Sequence, residues 1–279
     1  MNAQVEPEKG VVEVLTPTTV QLLQSAEIDQ QIATAKKYPR SVQKFYNEAR
    51  TLATMSPQIA ESLTYVLKRK DSDGGGQKKI TGPSARFAEI IASQWGNCRY
   101  GARVVAEDGD FVTAQGVFHD LEHNSQVTFE VKRRIVDKNG RRYSVDMVGV
   151  TANAACSIAL RNAVFKGVPK AIWESIHAEA QQVARGDVAT LKARRTDMLA
   201  KFAALGVKPE EIFAVLEVKG IADVGLDEML ELGGMYTAIT DGDTTVEQVF
   251  RGGKAQPAGA DEALNETLGL KEKADATAV

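Results

Sequence analysis

Apolar residues recur every three to four positions in two stretches near the start of the chain. Val42, Phe45, Ala49 and Leu52 mark the first, within 41–55, and the pattern continues from Pro57 to Leu67 after a break at Ser56-Pro57. That period lays one apolar stripe along each of two helices, with Pro57 suited to a first helical turn. A third helix is expected after Thr81-Gly82-Pro83-Ser84, where Phe87, Ile90, Ile91 and Trp95 share a face before Gly96-Asn97 stops it. The period then drops to two. RYGARVVA (99–106), FVTAQGVFHD (111–120) and SQVTFEVKRRIV (125–136) are separated by EDGD and LEHN, and Lys138-Asn139-Gly140-Arg141 supplies a further turn. This predicts an antiparallel meander. An Ala-rich run from Met147 to Lys166, with Asp146 as its N-cap, predicts a long helix packed on that sheet, and Pro169 opens another reaching about Ala184.

The expected fold class is therefore α+β, a three-stranded antiparallel meander packed on a long helix (a β-β-β-α core) with flanking helices. Residues 1–35 lack a sustained apolar period and are expected to be flexible, 36–185 to form the core, and 186–251 a small helical module built from short helices. Residues 252–279, rich in Ala, Gly and acids, are expected to be a flexible acidic tail. KRKDSDGGGQKK (68–79), three glycines between two basic clusters, reads as a mobile basic loop.

Charge changes this picture by dividing it. Lys36 to Lys170 holds 22 Lys and Arg against 13 Asp and Glu, while the rest of the chain holds 12 against 24, so a net charge of −3 conceals a basic body with acidic ends. Such a body suits a polyanion, since clustered cations neutralise phosphates and release condensed counterions. The polar, acidic start MNAQVEPEKG, the absence of a run of some eighteen apolar residues, and two isolated cysteines, Cys98 and Cys156, point to a cytoplasmic chain with no membrane partner and no disulfide framework.

The densest constellation is Lys132-Arg133-Arg134 followed across a turn by Lys138, Arg141 and Arg142. Strict alternation puts Val127, Phe129, Val131, Arg133 and Ile135 on one side and Thr128, Glu130, Lys132 and Arg134 on the other, which directs Lys132 and Arg134 to solvent and phosphate. Arg161, Lys166 and Lys170 from the following helices, and Lys78, Lys79 and Arg86 from the segment before the sheet, complete the candidate DNA-binding set. A rival reading joins Asp120 to Glu130-Val131-Lys132 as the acid and E-x-K of a Mg²⁺-dependent nuclease of restriction-endonuclease type. His119 and His123 have no Cys near them to complete a zinc site. GGGQKK lacks P-loop spacing, and no G-x-S-x-G elbow or Cys–His pair is present, so no enzyme activity, catalytic residue or cofactor other than Mg²⁺ for the rival reading is expected.

The order of ITGPSARFAEIIASQWGN, a basic three-stranded meander and TANAACSIALRNAVFKGVPKAIW resembles phage single-strand DNA annealing proteins of the broad RecT, Redβ and Erf group. The segment ending in DGDTTVEQVF is similar to carboxy-terminal modules of phage recombination proteins, and the resemblance spans roughly 40–250. It implies an ATP-independent homo-oligomer, a ring or filament, that lays single-stranded DNA along a basic groove and anneals a complementary strand. Lys132, Arg134, Arg141, Arg161 and Lys166 would be the phosphate contacts. The acidic module is expected to project outward and recruit an exonuclease or host single-strand binding protein. A third class, a nucleic-acid-packaging structural protein, shares the basic body without annealing.

Overall fold

A computed structural model describes residues 17–70, 77–137 and 139–251. Three helices come first: α1 (Pro17–Lys37), α2 (Val42–Ala53) and α3 (Pro57–Glu61). They are followed by the hairpin of β1 (Thr64–Lys70) and β2 (Gln77–Pro83), then α4 (Ala85–Trp95). β3 (Cys98–Asp108), β4 (Phe111–Asp120) and β5 (Ser125–Arg134) form an antiparallel sheet in that order, packed on α5 (Val145–Gly167). The expected α+β core is thus present. α6 (Lys170–Arg185), α7 (Val188–Ala204), α8 (Pro209–Leu216), a 3-10 turn (Ile221–Asp223), α9 (Leu226–Thr240) and α10 (Val246–Phe250) complete the described chain.

Caps explain several boundaries. Ser41, Ser56, Ser84, Ser144 and Asp187 each accept a hydrogen bond from a backbone N–H in the first turn of the helix they precede, satisfying donors that have no partner within the helix. The N-cap of α5 is therefore Ser144, and Asp146 falls inside its first turn. α5 is long and apolar enough to cross a membrane by length and composition, but more than half of that stretch is buried inside this fold.

Three sequence expectations are corrected. Residues 17–35, part of the segment expected to be flexible, lie in helix α1. The helix expected from Pro57 to Leu67 stops at Glu61, and the stretch expected as a mobile loop contributes to both strands of a hairpin, with Lys68 opposite Lys79 and Leu67 opposite Ile80. Leu63 through Leu67 are all buried, on both faces of the hairpin. Tyr65, Leu67 and Ile80 join Ala238 in one cluster, while Val66 joins the core of the helical unit. An apolar run buried on two sides suits a strand, and pairing across the hairpin overrides the local helical period. Residues 1–16, 71–76 and 252–279 lie outside the described residues, so the expectations placed on them stay where they were.

α5 approaches β4 so closely that a Cβ at Gly116 would stand 2.1 Å from the Ala159 carbonyl oxygen. Val112, Ala114, Val131 and Ile135 of the sheet then pack against Ala155, Ile158 and Ala159 of the helix. A second core joins α2, α4 and α6 to the carboxy-terminal half of α5 through Phe45, Phe87, Trp95, Phe165 and Trp173. His177 lies in the same layer, 3.0 Å from Thr64 Oγ1 and against the Phe87 ring. Burial pushes its imidazole down to about 4, against a hydrogen bond to the Leu63 backbone that raises it.

Two stability outcomes follow. Gly116→Ala should lower unfolding free energy by about 1–3 kcal/mol through overpacking, read by urea denaturation, whereas an unchanged midpoint would contradict the close approach. His177 resists protonation in the folded chain but titrates near 6.5 when unfolded, so its contribution is complete above about pH 6.5 and lost progressively as pH falls to about 4. Replacing it by Gln should flatten the pH dependence of stability in that window; an unaltered slope would contradict the buried neutral imidazole.

Candidate nucleic-acid interface

The register of the sheet decides which side chains share a face. Val112, Ala114, Gly116 and Phe118 of β4 lie opposite Arg133, Val131, Phe129 and Val127 of β5, and this is the face that α5 covers. The other face takes the alternate residues: Phe111, Thr113, Gln115, Val117 and His119 from β4, with Arg134, Lys132, Glu130, Thr128 and Gln126 opposite them. β3 contributes Arg99 and Arg103 opposite His119 and Gln115. Phe111 and His119 lie eight positions apart on β4, so the face runs for about 26 Å. Helix α5 packs on all three strands of this sheet, and α4 also meets β3.

This face is basic. Lys132 is exposed and forms no ion pair among the described residues. Arg134 is exposed and stands over the Phe111 ring, 5.6 Å from its centroid. Arg103 reaches Gln115 Oε1 at 3.4 Å, and Gln115 donates in turn to Glu130 at 3.4 Å, which leaves Glu130 and Asp108 as the acids of the face. Sequence reasoning placed Lys132 and Arg134 here and missed Arg99 and Arg103. Their signal was alternation along β3, readable only once the register with β4 is known.

Other candidate cations are already engaged. Arg161 is 1% exposed, donates to Asp243 Oδ2 at 2.9 Å and lies over the Tyr65 ring at 4.5 Å. Arg133 donates to the Gly242 carbonyl at 2.7 Å, and Arg86 pairs with Asp241 at 2.7 Å. Three cations expected to meet phosphate are thus gathered by three successive residues of the turn between α9 and α10. Lys79 pairs with Glu231 at 3.3 Å, and Lys68 pairs with the same carboxylate. Lys170 pairs with Glu174 at 3.2 Å, and Arg142 pairs with Glu107. Lys166 is exposed but sits over Phe129, on the helix-covered face. The side chain of Arg141 is exposed beside the turn, whose backbone N–H groups bind Asp137. Lys78 lies opposite Arg69 in the β1–β2 register, and Lys138 lies outside the described residues.

The same contacts correct the expectation that the helical unit projects outward. α9 packs on β1, Val66 enters its core, and the Asp241–Asp243 turn seals against the sheet and α5. Its Glu231, Asp241 and Asp243 neutralise cations of the core rather than facing away from them.

The residues of the nuclease pattern are not brought together. Asp120 is 5% exposed on the α5 side and opposite Ser125, whereas Glu130 is opposite Gln115 on the other face, five positions along β4 and about 16 Å away. Burial pushes the Asp120 carboxyl up, and hydrogen bonds from Arg40, Trp95 and His123 more than reverse this, holding it well below the ordinary carboxylate range. Arg40 grips it with two bonds, of 2.5 and 2.7 Å, and stacks over the Trp95 ring at 4.2 Å. Asp120 therefore clasps the α1–α2 connection to the sheet. His119 and His123 take separate partners, Asn124 and Asp120, at 3.2 Å each. Among the described residues no three His, Cys, Asp or Glu side chains cluster in a form that holds a metal ion.

Comparison with family models, with curated proteins and with solved structures finds no match.

The ion-pair assignment has a direct consequence. Asp243→Ala leaves Arg161 buried without its carboxylate and should cost about 3–5 kcal/mol of stability, measured by chemical denaturation. A variant as stable as the parent chain would contradict the buried pair.

Proposed function

We propose that this protein binds single-stranded DNA along the open face of the β3–β4–β5 sheet and, as a homo-oligomer without ATP, anneals complementary strands in phage-type recombination. The observation that carries this reading is the sorting of cations. Arg86, Arg133 and Arg161 are held by the Asp241–Asp243 turn, while Arg99, Arg103, Lys132 and Arg134 are grouped on the face that α5 leaves open. Cations placed so along a face about 26 Å long can follow a phosphate backbone. Phe111 and His119 offer ring faces for base stacking, and Gln115 and Thr128 supply neutral hydrogen-bonding groups. Contacts of this kind read backbone and ring face rather than base edges, as annealing of arbitrary sequences requires.

The resemblance of element order to single-strand annealing proteins supports the second half of the reading, and the lack of a P-loop agrees with ATP independence. In this reading the chemistry is base pairing itself. The protein offsets repulsion between strands and holds one strand extended on the sheet with its bases presented. The helical unit, packed on β1, remains the candidate surface for an exonuclease or single-strand binding protein through whichever acids the core does not engage.

Lys132→Ala with Arg134→Ala should weaken oligonucleotide binding and reduce the slope of log K against log salt by about 1.4, the share of two phosphate contacts on a single strand. Fluorescence anisotropy across a salt series reads both quantities, and unchanged affinity and slope would contradict the assignment. Mixed with two complementary labelled strands and no ATP, the parent chain should accelerate duplex formation and leave strand length intact. Binding without acceleration would favour packaging, and Mg²⁺-dependent shortening would favour a nuclease.

A further inference from the structure

We infer that β3 is the contact through which a second copy of this chain adds to the sheet, edge to edge and antiparallel. This deepens the proposed reading by giving its oligomer a contact, and it is tested without nucleic acid.

β3 ends the sheet, so among the described residues one side of an eleven-residue strand has no strand partner. An unpaired strand edge is a template for another strand, and proteins blunt such edges with charged side chains, Lys above all, with Pro, with bulges or with a covering element; β3 carries one bulge, at Val105. β3 has neither Lys nor Pro, and Tyr100 through Asp108 are all exposed. Tyr100 and Val104 lie opposite Phe118 and Ala114, on the α5 side, yet remain 42% and 44% exposed because α5 packs chiefly on β4 and β5. Among the described residues, the helices therefore leave this edge only partly covered.

The charges on β3 select the occupant. Arg99 and Arg103 lie in its first half, and Glu107 and Asp108 close its second half. An antiparallel copy reverses that order and brings each positive end to a negative one. β5, the other edge, has Lys132, Arg133 and Arg134 together at one end with Glu130 as its lone acid. Self-pairing there offers the cations too few acids to oppose them.

One register satisfies both charge and face. A two-fold axis at Arg103 sets Ala102 against Val104 of the second copy, then Gly101 against Ala106, Tyr100 against Glu107 and Arg99 against Asp108. Val105 is the extra residue, and the β3–β4 register already skips it between Val104 and Ala106. Every opposed pair then belongs to one face. Arg99 and Asp108 stand on the open face, opposite His119 and Phe111, while Tyr100 and Glu107 stand on the α5 side, opposite Phe118 and Val112. Two Arg99–Asp108 pairs offset the single meeting of Arg103 with itself. The contact is isologous and closes at two copies, so a ring or filament would be built from such dimers through a second contact. It joins two three-stranded sheets into one of six strands, with both basic open faces on the same side.

Sedimentation equilibrium of the full chain without nucleic acid tests this contact. The parent chain should dimerise. Arg99→Asp should weaken dimerisation by roughly tenfold or more, since the two-fold places each change at the contact twice, and Asp108→Arg should do the same. The double variant Arg99→Asp with Asp108→Arg should restore it through the exchanged pair. As a second readout, Arg103→Cys should form a disulfide between copies on mild oxidation, since opposed residues of antiparallel strands lie about 4.5–5.5 Å apart at Cα. The parent chain, with Cys98 and Cys156, supplies the background. A monomeric parent, single variants that dimerise like it, or a double variant that fails to recover would each overturn the inference. Single-strand binding by such a monomer would leave the strand-binding half of the proposed function standing.

Discussion

The seating of α5 against β4 at Gly116 is the constraint from which the surface follows. With no side chain there, the helix backbone comes down onto the strand, and one face of the sheet is committed to its core. Strand alternation then leaves no freedom in where the remaining residues point. Lys132 and Arg134 must emerge on the opposite side, and Arg99 and Arg103 join them through the β3 register. The basic open face is thus the complement of a packing decision made by glycine and alanine.

The second organising element is the Asp241–Asp243 turn. It receives Arg86 from α4, Arg133 from β5 and Arg161 from α5, so one short segment neutralises cations from three elements of the core. Such pairing is compatible with burial because each guanidinium meets a carboxylate or carbonyl. Together with α9 on β1, it fastens the helical unit to the sheet-bearing core. Net charge along the chain had suggested that acids and bases lie apart; folded, Glu231, Asp241 and Asp243 of the helical unit quench bases that the surface does not use.

Legibility of the fold from sequence varied with how local its causes are. β3, β4 and β5 were readable because alternation and turn residues such as Asp108-Gly109 and Asn124 act within a few positions, and Gly109 and Asn124 do adopt positive φ. α5 was readable from its Ala-rich period. The β1–β2 hairpin was not, since its strandedness comes from burial between two cores and from pairing across residues 71–76, neither of which a local period records. The candidate site was legible by half for the same reason. Lys132 and Arg134 could be assigned to a face from their own strand, but nothing near Arg133 or Arg161 reveals that Gly242 and Asp243, some 80 to 110 positions later, are their partners. Asp120 likewise looked like half of a metal site until Arg40, 80 residues earlier, was seen to hold it.

A lysine-acetylation footprint with and without a saturating single-stranded oligonucleotide, read by mass spectrometry, separates the two faces of the sheet in one experiment. Lys132, on the open face, should be strongly protected by the strand, while Lys166, on the helix-covered side, and Lys192, on α7, should react as they do in the protein alone. Undiminished reactivity of Lys132 alongside protection of Lys166 or Lys192 would place the strand elsewhere and contradict the open face as the binding surface.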